Sequence, residues 1–339
     1  MAKRKVYKFK TWIKILIFID VLIVIGAIVG YNYYKDYQYK ETNEYKLSQI
    51  RGNSDKEKYT EQEIKTILNK LTDEEQKDLI SRGYNEFYPC FIGRPYFIYS
   101  KLDQYMEYVI TKEKDFFKYH GTEGYDYDKL IGIVNSHANE NPYESDRVSD
   151  ESKGYGMIAN KHYQLGDYAP DDLESIEWKY RFGDANTKIE LRSEAHAAYL
   201  TMWEAAHEEG IYLLALSGYR SKKEQEKEYN YYKTYKGEKY ADSIAARPGW
   251  SEHQTGLALD IYAKENSDAK TFDTSNAFKW LSENSYKYGF ILRYPKGYES
   301  ITGYSYESWH YRYLGVDLAT KVMESGLTYD EYYAFYLDK

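Results

Sequence analysis

Ser251-Glu252-His253-Gln254-Thr255-Gly256-Leu257-Ala258-Leu259-Asp260 is the stretch on which the reading of this chain turns. Leu257, Leu259 and Ile261 alternate with Ala258, Asp260 and Tyr262, the period of a strand with one apolar face. Asp260 therefore projects opposite the leucines, where a ligand is of use. Gly256 and the small Ala258 stand before it, as if backbone had to pass close to something. Downstream, Glu307-Ser308-Trp309-His310 adds a second imidazole and a spare carboxylate. Catalytic zinc takes three protein ligands, a water in the open fourth position and a nearby base for the water's proton. His253, Asp260, His310 and Glu307 supply that set, so the chain reads as a zinc hydrolase. His120, His137, His162, His196 and His207 lack such company and are read as surface or core residues without chemistry.

Trp309, Tyr311 and Tyr313 alternate with His310 and Arg312, which predicts another strand. On one regular strand Glu307 and His310 would point to opposite faces. Both reach one metal if Glu307 lies in a loop before the strand, and Gly303, Ser305 and Ser308 suit a loop there.

These two segments come with Ser217-Gly218-Tyr219-Arg220-Ser221, Gln225 behind it, and Tyr288-Gly289-Phe290-Ile291-Leu292-Arg293-Tyr294-Pro295. In order, spacing and flanking residues the chain resembles the zinc D,D-/L,D-carboxypeptidases of the bacterial cell wall, the VanY-like group. The likeness runs from about Asn160 to about Gly315. It implies His253, Asp260 and His310 as zinc ligands and Glu307 as the base. It further implies that Arg220 faces the scissile carbonyl, that Gln225 is a polar substrate contact and that Ser251 helps hold the substrate's carboxylate. The implied substrate is the peptidoglycan stem peptide, losing its terminal D-alanine; an L,D-carboxypeptidase acting on tetrapeptide stems shares the same motifs. An inactive wall-binding protein is the alternative of another class, but a structural zinc site is closed by four ligands and has no need of a spare base.

Elementary electrostatics points the same way. Two neutral imidazoles and one carboxylate leave a zinc site with one net positive charge, so a bound water ionises near neutral pH. Glu307 would accept that proton and return it to the departing amine. Arg220 would stabilise the oxyanion. An exopeptidase also binds a free α-carboxylate, for which Arg293 is a second candidate.

The remaining composition sets the frame. A chain of 339 residues can bury a sizeable core, and its net charge of −8, with no basic stripe in its body, argues against nucleic acid. The first fourteen residues are crowded with Lys3, Arg4, Lys5, Lys8, Lys10 and Lys14. An apolar run from Ile15 follows, interrupted by Asp20 and extending to about residue 35. A span of that length matches the roughly 17–25 residues a bilayer needs. The basic flank places it with its start in the cytoplasm and the rest of the chain outside, anchored at the cell membrane. A cleaved signal peptide competes, but the small-residue cleavage pattern is poor. Cys90 is the one cysteine and has no internal disulfide partner; it is read as a small buried apolar residue.

The organisation expected is a basic cytoplasmic tail (1–14), a transmembrane anchor (15–35), a polar linker (36–58), a small α-rich domain (59–125) and a carboxypeptidase domain (126–339). Thr60–Glu63 and Thr72–Glu75 read as capping boxes opening helices near 61–70 and 73–81, with Gly83 ending the second. A strand and a helix are expected around Tyr96–Val109. Further on, helices are expected over Ile189–Glu209, Ser221–Tyr235 and Phe278–Tyr288, with a short strand over Ile211–Leu216. The fold class expected is α+β, helices packed on a small, mainly antiparallel sheet that holds the zinc site.

Overall fold

The structure, a computed structural model, describes residues 2–54, 56–184, 186–266 and 268–338. The side chains of residues 2–13 and 15 lie outside the described residues, and with them the lysines and arginine expected in a cytoplasmic tail. The chain divides into two units, Met1–Asp128 and Lys129–Lys339.

The first unit is helical. Helix α1 (Ala2–Lys40) carries the apolar run, whose side chains from Leu16 to Val29 are exposed. Its stretch Leu16–Lys40 is long and apolar enough, by length and composition, to cross a membrane. A linker was expected after it, but α1 continues to Lys40 and α2 (Asn43–Gln49) follows, capped by Thr42. A single apolar side chain, Leu47, anchors α2 against α3 and α4, and Asn43 donates to Asp73 at 2.7 Å. One buried leucine among polar residues leaves no periodic signal, which is why composition read as linker. Helices α3 (Glu61–Lys70) and α4 (Asp73–Arg82) begin at the two capping boxes, and α4 ends at Gly83 with φ 83°. Then come α5 (Tyr88–Ile92), α6 (Leu102–Thr111) and α7 (Lys114–His120). No strand forms near Tyr96, as had been expected; Tyr96 has φ 62°, which breaks an extended run, and a 3₁₀ turn at Tyr99–Lys101 leads into α6. Cys90 is half-buried; burial pushes its thiol up, and Sγ donates to Glu86 O.

The chain passes into the second unit within α8 (Tyr127–Asn135). The second unit has the expected α+β make-up. Strands β1 (Leu173–Ser175) and β2 (Glu190–Arg192) form a two-stranded ribbon. Ile189–Arg192 was expected to open a helix; instead Leu191 is fully buried in this ribbon, and α9 starts at Ser193 (Ser193–Glu208). Four antiparallel strands make the main sheet in the order β3-β4-β6-β5: β3 (Leu213–Ser217), β4 (Ala258–Ala263), β5 (Phe290–Tyr294) and β6 (Glu307–Tyr313). Leu259, Ile261 and Tyr311 turn to one face and pack with Leu213, Tyr199 and Met202, the last two from α9. Burying an aliphatic side chain of this kind contributes about 1.5–3 kcal/mol, which fixes which face of β4 is left for Asp260. Helix α10 (Lys222–Lys236) starts at a Ser221–Glu224 capping box and is followed by α11 (Glu238–Ile244). Helix α12 (Asn276–Asn284) passes into a 3₁₀ turn that Gly289 ends. The short α13 (Glu299–Thr302), then α14 (Val316–Ser325) and α15 (Tyr329–Tyr332) complete the unit.

Candidate metal centre

Sheet register brings the candidate ligands together. Asp260 on β4 pairs with His310 on β6, so the two side chains leave the same face. His253 arrives from a 3₁₀ turn, Glu252–Thr255, that closes at Gly256 in the left-handed region, φ 69°. A Cβ at Gly256 would also press on Arg192 and Leu173, so the close approach suspected at this glycine is to the β1–β2 ribbon. One donor atom from each of His253, Asp260 and His310 lies within 4.8 Å of the others. His253 Nε2 is 3.6 Å from Asp260 Oδ2, and His310 Nδ1 is 3.2 Å from Asp260 Oδ1.

Each imidazole is held by its other nitrogen. His253 Nδ1 donates to Gly218 O at 2.7 Å, leaving Nε2 as a lone-pair donor. His310 Nε2 donates to Glu252 Oε2 at 3.2 Å, leaving Nδ1. This is the usual way proteins set the tautomer of a metal-binding histidine. Asp260 Oδ1 is buried and, beyond its ion-pair contact with His310 Nδ1, has no hydrogen-bond partner, a state suited to a cation ligand. Burial pushes His253 down to about 3. Burial would lower His310 too, but Asp260 and Glu252 outweigh it and raise it to about 9. The pocket thus draws a positive charge towards His310 Nδ1, and the donor set fits a divalent cation.

Glu307 reaches this centre by a route other than the loop expected for it. It opens β6 itself, and a bulge corrects its direction. Two steps along β5, Leu292 to Tyr294, match four along β6, Tyr311 to Glu307. The extra residues turn the strand, so Glu307 Oε2 and His310 Nδ1 stand 3.7 Å apart. Burial raises Glu307 to about 8, with the charge of Asp260 adding to it.

A cleft of about 440 Å³ opens over these groups and is also lined by Arg220, Gln225 and Ser251. A second bulge, between Ala215 and Ser217 of β3, leads into the corner that carries Arg220. Gly218 is required at that corner, since a Cβ there would meet Glu190 O at 2.3 Å. Arg220 donates to Gln225 Oε1 at 3.0 Å and to Ser217 Oγ at 3.1 Å. Gln225 also donates to Ala246 O at 2.8 Å, so both ends of its amide are engaged within the protein. Arg293 is the one candidate that does not come to the cleft. It is fully buried, bonded to Glu252 and Asp330, and no cleft surface exposes it to a substrate carboxylate.

Glu252 escaped the sequence reading. It lies beside His253 in the quoted stretch, and a carboxylate flanking a ligand was the available signal. Two guanidiniums, Arg293 Nε at 2.8 Å and Arg312 Nη1 at 2.9 Å, hold its Oε1. Burial opposes its charge, and those arginines overcome the burial and keep it far below the usual carboxylate range.

The family model described as VanY, D-alanyl-D-alanine carboxypeptidase, matches residues 188–316. A D-alanyl-D-alanine carboxypeptidase of Enterococcus faecalis is 42% identical over 207 residues, which are 57% of this chain and 72% of that protein. The chain belongs to the VanY family. YodJ of Bacillus subtilis is 43% identical over 183 residues, and the chain spans 66% of its length. Among solved structures, the LdcB LD-carboxypeptidase is similar at 40% identity with a TM-score of 0.52, over 56% of this chain and 89% of that one. The three candidate metal ligands, Glu307, Arg220 and Glu252 of this VanY-family chain all fall inside the matched stretch; Asp330 falls outside it.

Proposed function

We propose that this chain is a membrane-anchored zinc D-alanyl-D-alanine carboxypeptidase, which removes the terminal D-alanine from peptidoglycan stem peptides on the outer side of the cell membrane. The observation that carries the proposal is the convergence of His253, Asp260 and His310 within 4.8 Å at a cleft that Glu307 and Arg220 also line. Two imidazoles and one carboxylate favour zinc. A zinc ion held by these three would acidify water and polarise a carbonyl. Glu307 takes the proton of the attacking water and passes it to the departing amine of D-alanine. Arg220 has five N–H donors, and its bonds to Gln225 and Ser217 steady the guanidinium while leaving others for the carbonyl oxygen as charge develops there. Gln225 acts chiefly by holding Arg220, and Ser251 offers a hydroxyl towards the substrate's carboxylate. The exposed apolar stretch Leu16–Lys40 supports the anchor.

A second reading, an L,D-carboxypeptidase acting on tetrapeptide stems, is favoured by the likeness to the LdcB LD-carboxypeptidase. Zinc, Glu307 and Arg220 would act on the scissile amide in either reaction, so selectivity rests on the walls around the penultimate residue. Mass spectrometry of pentapeptide and tetrapeptide muropeptides after incubation with the protein separates the readings. Release of D-alanine from the pentapeptide alone is expected. Release from the tetrapeptide alone establishes the L,D reaction, and release from neither by the zinc-loaded protein leaves a wall-binding role.

A further inference from the structure

We infer that Asp330, on the short helix α15, is a remote positioning residue for the metal centre, acting on His310 through Arg293 and Glu252. The inference rests on the metal-centre reading above and goes beyond it to a residue outside the family-matched stretch. A continuous chain of buried polar contacts carries it. Asp330 receives two donors of Arg293, one of them at 3.1 Å. Arg293 turns its remaining Nε to Glu252 Oε1, and Glu252 Oε2 accepts from His310 Nε2. Arg312 takes the other side of Oε1 and is itself tied to the carbonyls of Tyr155 and Met157. Asn160 donates to Asp330 at 2.7 Å. Asp330, Arg293, Arg312, Glu252 and His310 are all at most 3% exposed.

The charges in this network are matched, two carboxylates against two guanidiniums. That balance is demanding, because an unpaired buried charge is strongly destabilising and the neighbours rearrange to relieve it. With Asp330 neutral, Arg293 has only Glu252 as an anionic partner and draws that carboxylate towards itself. Glu252 then accepts less strongly from His310 Nε2, the ring is less firmly set, and Nδ1 becomes a poorer ligand. Outer partners of metal-bound histidines commonly influence metal affinity about 10–100-fold. Glu252 and Asp330 thus act in series, and the end of the chain helps set a ligand on the central sheet.

Zinc affinity, read by competition with a chromophoric chelator on the full chain in detergent micelles, tests this alongside the thermal midpoint of the metal-free protein. Glu252→Gln is expected to bind zinc about 10–100-fold more weakly and Asp330→Asn about tenfold more weakly, with Asp330→Glu recovering part of the loss. Thr328→Ala removes the side-chain half of the capping box of the same helix, loosening Glu331 while leaving Asp330, Arg293 and Glu252 unaltered; it should lower the midpoint and keep the unsubstituted affinity. Unchanged affinity in Asp330→Asn, or an equal loss in Thr328→Ala, overturns the inference. Should Asp330→Asn not fold, Arg293→Lys is read in its place, and unchanged affinity there has the same consequence. Failure of the unsubstituted chain to take up zinc overturns the metal-centre reading, and this inference with it.

Discussion

Asp260 and His310 are register partners on neighbouring strands, and their facing atoms Oδ1 and Nδ1 stand 3.2 Å apart. Two of the three proposed ligands are thereby fixed by the hydrogen bonding of the sheet, and only His253 depends on a turn. A site built on strands in this way has little freedom to recruit a substitute ligand.

His253→Ala, Asp260→Ala and His310→Ala are each expected to lose bound zinc and nearly all D-alanine release, since three ligands leave no redundancy. Metal content by atomic emission is the measurement. Stoichiometric zinc in any one variant would remove that residue from the centre.

Glu307→Gln is expected to keep zinc and to lose orders of magnitude in turnover, because the amide preserves shape but accepts no proton. Loss of metal in this variant would make Glu307 a ligand and undo its assignment as base.

Arg220→Ala should spare the metal and lower kcat about a hundredfold or more, the usual effect of deleting an oxyanion donor. Gln225→Ala should lower the same parameter by less, since it loosens the guanidinium without removing it. A change confined to KM in Arg220→Ala would assign that guanidinium to the substrate's carboxylate instead.

Lys161 gives a pH test away from the metal. Its ammonium is buried between α11 and the end of α13, donating to the carbonyls of Asp242 and Gly303. Burial lowers it from 10.5 to about 8. Between those values the unfolded chain binds more protons than the folded one, so this group makes stability rise with pH across that window. The stability of the unsubstituted protein relative to Lys161→Met should therefore grow between about pH 8 and about pH 10. Denaturant midpoints at both pH values measure it, and a constant difference contradicts the assignment.

Removal of residues 1–36 should yield a soluble, active protein, because the cut falls in the exposed part of α1 and leaves Leu47 and α2 in place. Sedimentation in the absence of detergent checks this; insolubility would mean that the apolar stretch also supports the fold.

Local signals were legible wherever the physics is local. The capping boxes at Thr60 and Thr72 name helix starts because side chain and backbone lie within one turn. The alternation through Leu257, Leu259 and Ile261 names the core-packed face of β4 because a strand has period two. Illegible were the strand at Glu190–Arg192, whose helical company masked it, and α2, whose packing depends on one leucine.

The linear chain determined the chemistry on offer: two imidazoles, a carboxylate and a spare base, carried on a strand with one apolar face and a turn that requires glycine. The tertiary structure decided what those groups do to one another. It put Glu307 beside His310 through a bulge, buried Arg293 away from the cleft and made Glu252 the partner of His310. Periodicity and capping act over a few residues and can be read along the chain. Bulges and charge pairing join residues as distant as Glu252 and Arg312, and their energies exist only once the sheet has brought those residues out of water together.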